Sequence, residues 1–191
     1  SLSGDRFFYG NPLASNGKHA RREWFGTACC PANIARLIAL LGDYIYAKDN
    51  QGLFVNLFVG SETKMSLNGQ EIGIKTSTDY PLNGNIKIEI SANGLNSFAL
   101  HIRKPGWSDN TVVPGGLYHY TMVNKTAPSL LVNGKAVHAS LVNGYYVIER
   151  KWKKGDIVEY RLPMPIQRIQ AQDVLKQDQQ RGALQRGPLV Y

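Results

Sequence analysis

Asn85-Ile86-Lys87-Ile88-Glu89-Ile90-Ser91 is the stretch that decides the fold class. Apolar and polar residues alternate at every step, which puts three isoleucines on one face and Lys87 and Glu89 on the other. A period of two predicts a half-buried β-strand. The pattern spreads outward from there. Phe98, Leu100 and Ile102 alternate after an Asn93-Gly94 turn. Tyr44-Ile45-Tyr46 and the run Leu53 to Val59 are rich in β-formers, with Asp49-Asn50-Gln51-Gly52 as the turn between them. Asn133-Gly134 marks the tip of a hairpin between Leu130-Leu131-Val132 and Ala136-Val137-His138. Gly144 to Arg150 and Ile157 to Leu162 read as a further pair, and Pro163 and Pro165 break the pattern. Many short strands punctuated by Gly and Asn turns predict an antiparallel sandwich or barrel.

One segment breaks this rhythm. Pro31 suits the first position of a helix, where its missing N–H costs nothing. Ile34, Leu37, Ile38 and Leu41 then recur at helical spacing, and Gly42 is a natural stop, so a helix is predicted over 31–41. Residues 1–30 have no clear period and carry loop signals at Asn11-Pro12 and Asn16-Gly17. Residues 172–182 are polar and read as a loop or short helix. Pro188-Leu189-Val190-Tyr191 reads as the start of a buried strand. That ending, and a start at Ser1, suggest a piece of a longer polypeptide. No internal repeat is present.

Composition excludes several classes. With 43% hydrophobic and 19% charged residues over 191 positions, the chain has an ordinary globular make-up. No apolar run approaches the roughly 18–20 residues of a membrane-spanning helix, and Arg36 interrupts the longest candidate, Ile34 to Leu41. No signal peptide opens the sequence, and any such segment would precede Ser1, so the compartment is left unknown. The net charge of +8 is uneven: residues 101–191 hold 13 basic and 6 acidic side chains, against 9 and 8 in residues 1–100. Its densest cluster, Arg150-Lys151-Trp152-Lys153-Lys154, precedes Gly155-Asp156 and reads as a solvated hairpin end rather than a polyanion patch. No nucleic-acid-binding motif accompanies it, and neither nucleic acid nor membrane is expected as a partner.

Chemistry concentrates at Cys29-Cys30, the only cysteines. Adjacent cysteines make a poor disulfide, because ordinary bridges span Cα atoms about 5–6 Å apart. The pair stands immediately before the predicted helix, whose N-terminus favours negative charge and hence a thiolate. Two readings stay open: a reactive or metal-binding thiolate pair, or two small buried hydrophobes at a helix start. Two thiolates do not complete a zinc site, which usually takes four ligands. His19, Asp5 and Glu23 are the upstream candidates. His101, His119 and His138 are scattered and read as structural. Trp107, Tyr118, Tyr120, Tyr145 and Tyr146 could stack on sugar rings, although strands favour aromatics in any case.

The run Cys29-Cys30-Pro31-Ala32-Asn33-Ile34-Ala35-Arg36 resembles glycoside hydrolase family 127, the β-L-arabinofuranosidase-like enzymes once filed as domain of unknown function 1680. The likeness extends through Arg6-Phe7-Phe8-Tyr9-Gly10-Asn11-Pro12-Leu13 upstream, then Arg103-Lys104-Pro105-Gly106-Trp107, Val132-Asn133-Gly134, Gly144-Tyr145 and Trp152 downstream. It reaches Arg186-Gly187-Pro188-Leu189-Val190-Tyr191 and so covers essentially the whole chain.

The resemblance implies an (α/α)6 barrel carrying the active site, followed by β-sandwich domains. Residues 1–43 would be the C-terminal remnant of the barrel with its final helix. Residues 44–191 would be an antiparallel, jelly-roll-like sandwich. It implies Cys29 as nucleophile, also on the metal, and Cys30 as zinc ligand. The remaining zinc ligands (a glutamate and a third cysteine) and an acid/base glutamate lie well upstream in the family. None can be matched here, and Glu23 stands too close to the pair. The chain is therefore expected to be the C-terminal portion of a zinc-dependent retaining glycosidase, inactive alone, whose glycan substrate binds chiefly through the missing barrel. Two other readings compete: a glycan-binding module, or a structural sandwich whose exposed barrel-facing surface could self-associate.

Overall fold

The computed structural model describes residue 18, residues 29–92 and residues 96–191. The chain divides into two compact units, Ser1–Asp43 and Tyr44–Tyr191. What is described of the first is mainly a helix, α1 (Cys29–Ile45), whose last two residues belong to the second unit. The helix begins two residues before the predicted start and ends four after the predicted stop. Pro31 is its third residue, still among the four N–H groups that lack an intrahelical acceptor, so the early start loses no hydrogen bond. Gly42 does not end it. Ile45 is buried, and its carbonyl accepts from the N–H groups of Asn56 (2.9 Å) and Leu57 (3.3 Å), which supply the terminal partners that a glycine cap would otherwise provide.

The second unit is built of short strands. In chain order the first are β1 (Tyr46–Lys48), β2 (Gly52–Val55), β3 (Ser61–Leu67), β4 (Gln70–Thr78), β5 (Asn85–Ala92) and β6 (Asn96–Arg103). Next come β7 (Tyr118–Tyr120), β8 (Ser129–Val132), β9 (Lys135–Ala136), β10 (Ser140–Val142) and β11 (Tyr145–Trp152). The last are β12 (Asp156–Arg161), β13 (Ile166–Ala171), β14 (Ala183–Arg186) and β15 (Leu189–Val190). Among the described residues they form three sheets, ordered β1-β2-β6-β11-β10, β3-β4-β5-β12-β8-β9 and β15-β14-β13-β7.

The first two sheets make the sandwich. Leu53, Val55, Leu100 and Ile102 from one, with Ile72, Ile74, Ile86, Ile88, Ile90, Val158 and Tyr160 from the other, are each at most 2% exposed and share one hydrophobic core. The alternation in 85–91 is therefore read correctly: β5 is exposed and buried in strict turn. Burying each isoleucine contributes on the order of 1.5–3 kcal/mol. Asn68-Gly69, Asn133-Gly134 and Asn143-Gly144 each close a two-residue hairpin with both φ angles positive, the turn whose twist matches that of paired strands.

Two pairings differ from expectation. Among the described residues every strand pair is antiparallel except β2 with β6, which run parallel. After β2 the chain builds β3, β4 and β5 in the second sheet and then returns beside β2, so the connection crosses the core and no hairpin forces antiparallel order. The predicted pairing of Gly144–Arg150 with Ile157–Leu162 also fails. β11 pairs with β6 and β10, while β12 pairs with β5 and β8. The turn at Lys153–Gly155 carries the chain from one sheet to the other.

The third sheet buries Tyr120, Ile169 and Gln185, with the Tyr120 hydroxyl donating to Gln185 Oε1 at 3.0 Å. Residues 172–182 form a loop containing one 3-10 turn, Lys176–Asp178. The terminal strand forms as β15 but is not buried: Val190 is 61% and Tyr191 74% exposed.

Candidate active site

Cys29 and Cys30 are the first two residues of α1, and both are exposed. Their Sγ atoms lie 3.8 Å apart, well beyond the roughly 2.05 Å of a disulfide. Consecutive helical residues point about 100° apart, so the two thiols head different stripes of the helix. Cys29 shares a stripe with Asn33 and Arg36, at i, i+4 and i+7. Cys30 shares one with Ile34, Leu37 and Leu41. The Asn33 amide Nδ2 donates to the Cys29 carbonyl at 3.1 Å, and Arg36 Nη2 donates to Asn33 Oδ1. The apolar stripe is open: Ile34, Leu37, Ile38 and Leu41 are 44%, 54%, 67% and 37% exposed.

The sulfur spacing bears on metal binding. Two thiolates on one tetrahedral zinc, each at about 2.3 Å, stand about 3.8 Å apart. The pair at 3.8 Å fits half of a four-ligand shell. Among the described residues no set of three or more His, Cys, Asp or Glu side chains comes together. Asp5, His19 and Glu23 lie outside the described residues, as do the loop signals before residue 18 and the Asn93-Gly94 turn.

The other sequence candidates do not converge. His101 is on β6 of the first sheet, His119 on β7 of the third, and His138 follows β9 of the second. The proposed aromatic platform divides between surfaces. Trp107 and Tyr146 pack against the sandwich core, where the Trp107 indole N–H donates to the Tyr80 hydroxyl at 3.3 Å. Tyr118 and Tyr120 belong to the third sheet, and the Tyr118 hydroxyl donates to Asp178 Oδ2 at 3.0 Å, a bond that raises its ionisation point. Tyr145 alone lies on the outer face of the first sheet, its hydroxyl donating to Asn56 Oδ1 at 2.9 Å. There it meets Phe54 edge-on, and Phe54 stacks on His101 with centroids 4.0 Å apart. Burial pushes the His101 imidazole below its ordinary range, and the Asp49 carboxylate partly opposes this. Sequence reading missed this trio. Its signal is register: Phe54 pairs with His101 across β2 and β6, and both are out of phase with the core residues beside them.

In the basic cluster Lys151, Lys153 and Lys154 are exposed, and they flank a turn between two sheets rather than a hairpin end. Trp152 is fully buried and its indole N–H donates to the Phe98 carbonyl at 3.0 Å. The Arg150 guanidinium lies 5.3 Å above the Trp152 ring and 4.0 Å from the Asp156 carboxylate. No helix among the described residues is long and apolar enough to cross a membrane.

Comparison with known proteins then decides the family. A profile described as "Beta-L-arabinofuranosidase, GH127 middle domain" matches residues 52–164. The chain belongs to glycoside hydrolase family 127. A second family 127 profile, described as the catalytic domain, matches residues 1–43, the segment that holds Cys29 and Cys30. A curated relative, the non-reducing end beta-L-arabinofuranosidase of Bifidobacterium longum subsp. longum, is 30% identical over all of this chain and 29% of its own length. A solved GH127 beta-arabinofuranosidase superposes with a TM-score of 0.90 at 42% identity, covering 100% of this chain and 30% of that one. The GH127 beta-L-arabinofuranosidase of Geobacillus stearothermophilus T6 gives 0.81 at 35% identity, covering 99% of this chain and 29% of its own. The chain thus spans under a third of the family 127 proteins it matches.

Proposed function

We propose that this chain is part of a zinc-dependent retaining glycoside hydrolase acting on β-L-arabinofuranosides, with Cys29 as nucleophile and Cys30, together with Cys29, as zinc ligand. The observation that carries the reading is the cysteine pair: two exposed thiols 3.8 Å apart at the start of a helix, within the segment matched by the family's catalytic-domain profile. The named substrates of the relatives support the choice of sugar.

The chemistry follows from what a retaining mechanism requires. A nucleophile attacks the anomeric carbon while an acid protonates the departing glycosidic oxygen, and water later releases the sugar from the enzyme. Cys29 Sγ forms the carbon–sulfur bond as the carbon–oxygen bond breaks. The helix N-terminus beneath it favours the anionic sulfur that this attack needs. In the second step water attacks the same carbon and the electron pair returns to Cys29 Sγ. Bound zinc would keep the thiols ionised and make the sulfur a better leaving group. Cys30 would hold the metal beside Cys29. The acid/base carboxylate has no counterpart among the residues matched here, so we propose that the isolated 191-residue chain is inactive.

The test compares two proteins on an aryl β-L-arabinofuranoside. The full-length enzyme should turn over and lose activity in Cys29→Ser, and zinc content should fall in Cys30→Ala. The 191-residue chain should release no aryl alcohol. Full activity in Cys29→Ser would refute the nucleophile assignment, and turnover by the short chain would refute its incompleteness.

A further inference from the structure

We propose that Asn33 and Arg36 are positioning residues for the Cys29 thiol, acting as a two-bond brace on the first turn of α1. The inference rests on the reading of Cys29 as nucleophile. Cys29 is the first helical residue, where ends fray and backbone N–H groups lack intrahelical acceptors. The brace ties the first turn to the next by adding a donor to the carbonyl of the residue that bears the sulfur. Asn33 Nδ2 donates to the Cys29 carbonyl at 3.1 Å, and Arg36 Nη2 donates to Asn33 Oδ1.

The donor logic makes the arrangement one-way. A guanidinium only donates, so it requires the amide oxygen of Asn33 on its side. That leaves the amide nitrogen facing Cys29, whose carbonyl only accepts. Arg36 therefore fixes the amide orientation, and the amide holds the residue that bears the sulfur. All three lie on the polar stripe of the helix, apart from the Ile34, Leu37 and Leu41 stripe headed by Cys30. A simple helix-stabilising role would not need this order. An aspartate at position 33 would suit the helix N-terminus and still pair with Arg36, yet it could not donate to the Cys29 carbonyl.

That difference gives the experiment. In the full-length enzyme, kcat, KM and melting temperature are measured for Asn33→Asp, Asn33→Ala, Arg36→Met, Arg36→Lys and Cys29→Ser. A misplaced nucleophile should lower kcat by roughly tenfold to a hundredfold in Asn33→Asp and Asn33→Ala, with KM little changed. Asn33→Asp should do so without loss of melting temperature. Arg36→Met should resemble Asn33→Ala, and Arg36→Lys, which can still donate to Asn33 Oδ1, should recover most of kcat. Wild-type kcat in Asn33→Asp overturns the brace even if Asn33→Ala fails to fold. An inactive Cys29→Ser beside an unimpaired Asn33→Asp would leave the nucleophile reading intact and the brace refuted. An active Cys29→Ser would refute both.

Discussion

Asp156 holds the point where the chain passes between sheets. Its carboxylate accepts from Asn133 Nδ2 and from the backbone N–H of Lys153, both at 2.9 Å, and Arg150 stands 4.0 Å away. Asn133 in turn accepts from the Ile157 N–H at 2.9 Å, so one hairpin tip is tied to the start of β12. Burial alone would raise the Asp156 carboxyl, but the Asn133 and Lys153 hydrogen bonds and the charges of Arg150 and Lys153 outweigh it and hold it below the ordinary aspartate range. A depressed folded value means the group stabilises above its unfolded value and loses that contribution as pH falls through the folded one. Asp156→Asn should therefore cost about 1–3 kcal/mol at pH 7. The gap from wild type should shrink as pH drops below about 4. Urea unfolding of both proteins across that range checks the size and the sign.

At the scale of elements, close backbone approach matters more than propensity. A Cβ on Gly52 would sit 2.1 Å from the Ala99 carbonyl oxygen, across the parallel pairing of β2 with β6. Gly144, at φ +82, has open space around it. Gly144→Ala should cost about 1–2 kcal/mol from its backbone conformation alone. Gly52→Ala should cost more, because two backbones must separate. Denaturation midpoints at unchanged slope would rank them. The same element shows what the sequence carries. Alternation identified β5 and the core side of β6, because each strand buries one face. It did not identify partners, since the pattern specifies a face and not a neighbour. That is why β11 and β12, adjacent in sequence, read as a pair although they lie in different sheets. β3 was missed because Ser61 to Leu67 carries few apolar residues; the readable signal was the Asn68-Gly69 turn that closes its hairpin with β4. Helix α1 was legible from its apolar stripe, but its end was not, because the N–H donors that settle it come from residues 56 and 57.

For the whole molecule, the sandwich and the site are different kinds of object. The sandwich closes its own core within Tyr44–Tyr191. The cysteine pair was legible because two adjacent thiols followed by a proline and a helical apolar stripe are chemically conspicuous. The rest of the proposed site was not legible: a four-ligand shell would draw on residues distant in sequence, and among the described residues no third ligand type joins the pair. Ile34, Leu37, Ile38, Leu40 and Leu41 of α1 stand exposed, so we expect the 191-residue chain to self-associate through them. Sedimentation should show a concentration-dependent dimer that Leu37→Glu and Ile38→Glu abolish, and a clean monomer would contradict it. The proposed mechanism stands on sulfur as the nucleophile. Its most direct test is peptide mapping of the full-length enzyme after trapping with a slowly released β-L-arabinofuranosyl substrate. One pentosyl group on Cys29 Sγ is expected; a sugar attached to a carboxylate, with Cys29 unmodified, would rule sulfur out.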